Sequence, residues 1–134
     1  MRGRRSYDAG TDRWSRSDWW GVVLEAPDPA VLGHFYRELL GWPVWNESAD
    51  GVALDAGEGV GYLAVQRADV YERPVWPPRP GSQGMQLHLD FEVSDLEEAV
   101  AQALELGAEL AEHQPQEDVR VLLDPAGHPF CLYT

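Results

Sequence analysis

Residues 85–93, MQLHLDFEV, alternate without a break: Met85, Leu87, Leu89, Phe91 and Val93 are apolar, and Gln86, His88, Asp90 and Glu92 are polar. Successive side chains of a strand point to opposite faces. The segment therefore predicts a strand with one wholly apolar face and one face carrying an imidazole and two carboxylates. The period then changes. Ser94 or Asp95 can cap a helix, Glu97 and Glu98 suit its first turn, and Leu96, Val100, Ala103 and Leu104 recur at helical spacing until Gly107. An earlier stretch, WWGVVLEAPDPAVLGHFYRELLGWPVW, follows the same plan. An apolar run from Trp20 through Val22 and Leu24 leads to Asp28 as N-cap and Pro29 at the first helical position. Leu32, Phe35, Tyr36, Leu39 and Leu40 form the stripe, and Gly41 stops the helix. Overlaying Asp28 on Asp95 superposes strand, cap and helix.

Each predicted helix is followed by three short β-like pieces, at 43–45, 52–54 and 62–66 in the first half and at 108–110, 119–123 and 130–133 in the second. Both halves thus read β-α-β-β-β, an internal repeat. Between them lies ERPVWPPRPGSQG, residues 72–84, too proline-rich for a helix or a central strand. The expected organisation is a disordered Arg-rich tail over 1–17, module one over 18–71, a linker over 72–84 and module two over 85–134. The fold class is α+β, with the two modules forming a curved, cup-shaped mixed sheet and the helices outside.

Composition narrows the function classes. A chain of 134 residues, 44 % of them hydrophobic, is about one domain with a real core. No apolar run reaches the ~18–20 residues of a membrane span. The one cysteine, Cys131, excludes an internal disulfide and suits a reducing cytoplasm. The net charge of −13 is unevenly placed: five of the ten arginines and only two acids fall in the first 16 residues, leaving 21 acids against five arginines in the body. Such a body repels nucleic-acid phosphates and favours cationic small molecules. The glycines of AGEGVGY follow a strand but open no helix and have no lysine nearby, so they read as a hairpin loop and not as a phosphate cradle.

Three segments, DPAVLGHFYRELLGW, HLDFEVSDLEEAVAQALELGAEL and VLLDPAGHPFCLYT, resemble the vicinal oxygen chelate superfamily of glyoxalase, bleomycin-resistance and extradiol dioxygenase proteins over roughly residues 19–134. The resemblance implies two β-α-β-β-β modules curled into a cup, a soluble homodimer and, in metal-dependent relatives, a divalent ion held by the first and last strands of each module. The first-strand ligand lies seven residues before the helix-capping Asp, which is His88 in module two and Gly21 in module one. The last-strand ligand, after the DPxG turn, corresponds to Cys131 in module two and falls near Tyr62 or Ala64 in module one. A catalytic zinc or a 2-His-1-carboxylate iron needs three protein ligands, so glyoxalase and dioxygenase chemistry are disfavoured and no cofactor is expected.

Two functions are carried forward. The first is a metal-independent, bleomycin-resistance-type protein that sequesters an aromatic or cationic small molecule in an acidic, aromatic-lined cup, with no nucleic-acid or membrane partner. Its candidate ligand-binding residues are His88, Asp90, Glu92, Cys131, Trp19, Glu25, Tyr62, Gln66 and Trp76, with Tyr71 and Trp76 placed to roof a pocket. The second is a metal-dependent lyase, isomerase or dioxygenase that uses His88 in a non-standard ligand set, with His88 and Cys131 as the catalytic candidates. His34 and His113 read as surface residues and His128 as a turn residue. Trp20 is expected under the sheet beside Val22 and Leu24, and Leu87 under the second helix.

Overall fold

The computed structural model describes residues 15–16, 18–57, 59 and 61–134. The tail expected over 1–17 therefore lies, apart from Ser15 and Arg16, outside the described residues. The elements are β1 (Trp20–Ala26), α1 (Pro29–Leu40), β2 (Val44–Ser48), β3 (Gly51–Asp55), β4 (Gly61–Arg67), β5 (Leu89–Glu92), α2 (Leu96–Glu105), β6 (Glu109–Leu110), β7 (Val119–Leu123) and β8 (Pro129–Tyr133). They form two four-stranded mixed sheets, β1-β4-β3-β2 and β5-β8-β7-β6, which are not hydrogen-bonded to each other. This is the α+β arrangement of two β-α-β-β-β modules. In each, the first strand runs parallel to the last, and the remaining neighbours are antiparallel. No described helix is long and apolar enough to cross a membrane.

Both helices begin where their caps require. The Asp28 carboxylate accepts from the Ala30 and Val31 amides at 3.1 and 3.2 Å, and the Asp95 carboxylate accepts from the Glu98 amide at 3.0 Å. Gly41 ends α1 in the left-handed conformation at φ 65°, which costs glycine least. On α1, Leu32, Phe35 and Tyr36 are buried, and Gly33 lets the helix lie against Val52 of β3: a Cβ there would sit 2.5 Å from that of Val52.

One core serves both modules. Leu24, Ala26, Val52, Leu54, Leu63 and Val65 of the first sheet join Leu122, Phe130 and Leu132 of the second, with α1 between them. The rings of Phe35 and Tyr36 meet Phe130 edge-on at 5.9 and 6.2 Å. The Tyr36 hydroxyl donates across the modules to the Asp124 carboxylate at 3.0 Å, and both residues are fully buried.

Three expected placements are corrected. Trp20 is 55 % exposed. It pairs with Gly61, one position beyond the last β3–β4 pair, Asp55 with Tyr62, so the core no longer covers it. Leu104 is exposed because the buried stripe of α2 runs through Leu96, Ala99, Val100, Ala103 and Leu106 and leaves Leu104 on its flank. Leu87 is 49 % exposed, because β5 starts at Leu89 and not at residue 85. Pairing with β8 begins at Leu89 opposite Phe130, and the next position back along β8 is Pro129, which has no N–H for the ladder.

Tyr36→Phe should test the link between modules. It leaves the buried Asp124 one donor short, and the expected cost is about 1–3 kcal/mol, read as a lower urea midpoint at unchanged m-value.

Candidate functional site

The two faces of each sheet separate by parity. In module one, Val22, Leu24, Ala26, Leu63 and Val65 face the helix-covered core, so Gly21, Val23, Glu25, Tyr62, Ala64 and Gln66 share the opposite face. In module two, Leu89, Phe91, Phe130 and Leu132 face the core, leaving His88, Asp90, Glu92 and Cys131 together on the other side. The registers match as well. Val23 pairs with Ala64 where Asp90 pairs with Cys131, and both pairs are related by the same shift that takes Asp28 to Asp95.

In module two the polar side chains converge. His88 Nε2 lies 3.3 Å from Asp90 Oδ1, and the donor atoms of His88, Asp90 and Cys131 all lie within 4.8 Å of one another. Half-burial, the hydrogen bond of the thiol to Asp90 and the charge of that carboxylate together push the Cys131 thiol up to about 11. Cys131 is therefore held as a protonated thiol at neutral pH. Glu92 follows Asp90 on the same face, half a strand further on.

In module one the equivalent corner is aromatic. A Cβ on Gly21 would meet the Tyr62 ring at 2.4 Å, so glycine here makes room for tyrosine. Trp45 of β2 meets Tyr62 edge-on at 6.2 Å and stacks on Trp19 at 5.5 Å. Further along, Gln66 Nε2 donates to Glu25 at 3.1 Å. Trp76 joins none of these groups; its indole N–H donates to the His113 carbonyl at 3.4 Å.

A cleft of about 470 Å³ opens where β1, the linker and the approach to β5 meet. Val23 and Glu25, Val70 to Glu72, Met85, Leu87 and His128 line it. Of the residues named from sequence for ligand binding or for roofing a pocket, Glu25 and Tyr71 reach this cleft. Its back wall is an unforeseen relay. The Asp124 carboxylate accepts from the amides of Ala126 and His128 and lies 3.0 Å from His128 Nδ1, while His128 Nε2 is 3.2 Å from the Tyr71 hydroxyl. Tyr71 also donates to the Ala126 carbonyl at 2.9 Å, and burial followed by the charge of Asp124 raises its phenol to about 12. A signal was available: a tyrosine in the apolar stripe of α1 needs a buried acceptor, and the DPAGH turn carries a carboxylate, Asp124, that is fully buried.

The glyoxalase-like domain family matches residues 21–133. The chain belongs to the glyoxalase-like domain family, within the vicinal oxygen chelate superfamily. Solved structures with the same fold include a glyoxalase/bleomycin resistance protein/dioxygenase family enzyme from Burkholderia phytofirmans, 18 % identical, with 84 % of this chain and 94 % of that one covered and a TM-score of 0.63. A glyoxalase family protein from Enterococcus faecalis is 26 % identical over 85 % of this chain and 94 % of that one, TM-score 0.59. The fosfomycin resistance protein FosX from Mesorhizobium loti is 13 % identical over 84 % and 86 %, TM-score 0.60. Among curated proteins, none matches the sequence.

The divalent ion used by many members of the superfamily does not fit this glyoxalase-like domain as a two-module ion. Gly21 has no donor and the Tyr62 ring occupies its side, and Ala64, in register with Val23, has none either.

The thiol makes a direct test. Followed by ultraviolet absorbance, Cys131 should ionise near about 11, above the unperturbed value of roughly 8.5, and Asp90→Asn should bring the midpoint down. The fold favours the protonated thiol, so this contribution to stability is complete below the ordinary thiol pKa and is lost as the pH rises through about 11.

Proposed function

We propose that this glyoxalase-like domain recognises and retains a small organic cation with an apolar or aromatic body, without making or breaking a bond in it. The observation that carries this reading is the lining of the cleft. Glu25 and Glu72 supply two exposed carboxylates, Val23, Val70, Met85 and Leu87 supply apolar walls, Tyr71 supplies an aromatic one, and no arginine takes part. Open, mostly apolar concavities with a few polar groups are the usual small-molecule sites. Here those groups are carboxylates, amides, a phenol and the His128 imidazole. The same face of β1 continues from Val23 and Glu25 to Gly21, where Tyr62, Trp45 and Trp19 extend the wall for stacking or cation–π contact.

Turnover by a two-module metal site has less support, because Gly21 and Ala64 leave module one without ligands. Sequestration of a toxic compound is the cellular use that this reading favours, and a fosfomycin resistance protein shares the fold. We include a homodimer in the proposal. β1 and β5 are both edge strands, and Trp20, Val23 and Leu87 are exposed on or beside them, an arrangement that ordinarily needs a partner or a cover.

Tetraphenylphosphonium and tetraphenylborate, alike in shape and opposite in charge, provide the probe. Calorimetry should show the cation binding and the anion not. Glu25→Gln and Glu72→Gln should each weaken the cation by up to about fivefold, the upper range for an exposed charge pair. Equal affinity for both ions, or no effect of either substitution, would overturn the proposal.

A further inference from the structure

Behind the cleft stands a hydrogen-bonded chain that holding a cation does not by itself require: Asp124, His128 and Tyr71. His128 also lines the cleft, with its side chain 18 % exposed. We propose, building on the recognition described above, that His128 is a proton gate in the cleft wall. With Nε2 bare the cleft retains its cation, and with Nε2 protonated it releases it.

Hydrogen-bond capacity fixes which nitrogen titrates. Nδ1 lies 3.2 and 3.0 Å from the two carboxylate oxygens of Asp124. An ionised carboxylate only accepts, so Nδ1 carries a hydrogen whatever the charge of the ring. Nε2 faces the Tyr71 hydroxyl at 3.2 Å, and that hydroxyl has a second acceptor in the Ala126 carbonyl at 2.9 Å. In the neutral ring, Nε2 accepts the phenolic hydrogen. In the imidazolium, Nε2–H donates to the phenol oxygen and the phenolic hydrogen turns to Ala126. Nδ1, Nε2 and the hydroxyl are paired in both states, and only one hydrogen rotates. Neither state carries the penalty of a lost partner. The Tyr71 phenol, raised to about 12, keeps its own proton throughout.

The groups around the ring set the direction. Asp124 faces Nδ1 from the β7–β8 turn, and Tyr36 of α1 reaches the same carboxylate. The chain after β4 brings Tyr71 against Nε2 and Glu72 to the cleft, and β1 brings Glu25. Arg73 acts on Tyr71 with the opposite sign to Glu25, but its guanidinium is bound to Glu109 and to the Pro125 carbonyl. With a neutral His128 this wall is governed by the carboxylates of Asp124, Glu25 and Glu72. A proton on Nε2 cancels one of those charges and sets a positive group beside the guest. Cation binding and protonation therefore oppose each other, each weakening the other by the same factor. An imidazole ordinarily changes its charge between about pH 5 and 8, so the gate works within the range of ordinary cellular and environmental pH.

Tetraphenylphosphonium has no titratable group, so any pH dependence of its binding belongs to the protein. Calorimetry on the full chain should show its affinity falling roughly three- to fivefold from about pH 8.5 to about pH 5.5, the scale of a partly exposed charge pair. His128→Asn keeps an amide to face Asp124 but cannot titrate, and it should remove most of that fall; whatever the carboxylates contribute remains in the variant. Long-range proton–nitrogen NMR reads the gate in the wild-type chain, with His128 assigned through its backbone. At high pH the ring should carry hydrogen on Nδ1 alone and gain one on Nε2 as the pH falls. Saturating tetraphenylphosphonium should lower the midpoint of that step by roughly 0.5–0.7 of a pH unit, the same three- to fivefold factor. A neutral ring protonated on Nε2, a midpoint that the cation leaves in place, or an equal fall in affinity in His128→Asn would overturn the inference. Equal affinity at both pH values sinks the gate and leaves the recognition standing, whereas no binding of the cation at any pH sinks both.

Discussion

The arrangement depends on one buried charge. Asp124 is fully buried, and a carboxylate in that position is tolerated only if its oxygens are satisfied by donors. They are satisfied from two directions: Tyr36 reaches in from α1, while the Ala126 and His128 amides and the His128 ring close the β7–β8 turn around it. The first contact ties module one to module two. The second sets where β8 begins, and therefore which residue stands opposite Asp90. His128 in turn meets Tyr71, which fixes the path of the chain as it leaves module one and supplies a wall of the cleft. Removing a single donor leaves a buried carboxylate oxygen one partner short, which is why the cost exceeds that of an ordinary surface hydrogen bond.

The acidity of the body acquires a local meaning from how its few cations are used. Arg67 donates to the carbonyls of Pro27 and Ala49, Arg73 pairs with Glu109 and reaches the Pro125 carbonyl, Arg120 donates to the carbonyls of Glu117 and Val119, and Arg37 pairs with Glu38. Four of the body's five arginines are thus committed to turns, strand ends and helix surface. Among the described residues no arginine lies within ion-pair distance of Glu25, Glu72, Asp90 or Glu92. Among the described residues the carboxylates of the cleft and of the module-two corner thus have no guanidinium beside them, which a merely acidic composition would not by itself guarantee.

Much of the fold was legible because both modules repeat a period change that physics enforces: alternation, a carboxylate cap, a helical stripe, a glycine stop. The errors fell where a pattern outlasted its pairing. Leu87 continues the alternation of Leu89 and Phe91, but the ladder ends at Phe130 because Pro129 cannot donate. Trp20 precedes Val22 in phase, yet the sheet beneath it stops one residue short. Parity brought His88, Asp90 and Glu92 to one face without any knowledge of distances, and the family resemblance set Cys131 beside His88. The cleft was not legible, because it is made by contacts between residues more than fifty positions apart, such as Tyr71 with Ala126 and His128, and by a linker whose course no local pattern encodes.

The two modules share a scaffold and a register, so their differences can be read position by position. At the first-strand position module one has Gly21 and fills the space with the Tyr62 ring, backed by Trp45 and Trp19. Module two has His88 there and places Asp90 and Cys131 beside it. A corner built from rings offers polarisable surface and few polar atoms. A corner built from imidazole, carboxylate and thiol offers three donors and little surface. Neither exchange is neutral for packing: an alanine at 21 would collide with Tyr62, and a larger side chain at Ala64 would project onto the same wall. The asymmetry is therefore held in place by sterics on one side and by donor chemistry on the other. It divides the faces turned away from the helices into a part lined by rings and a part lined by donor atoms.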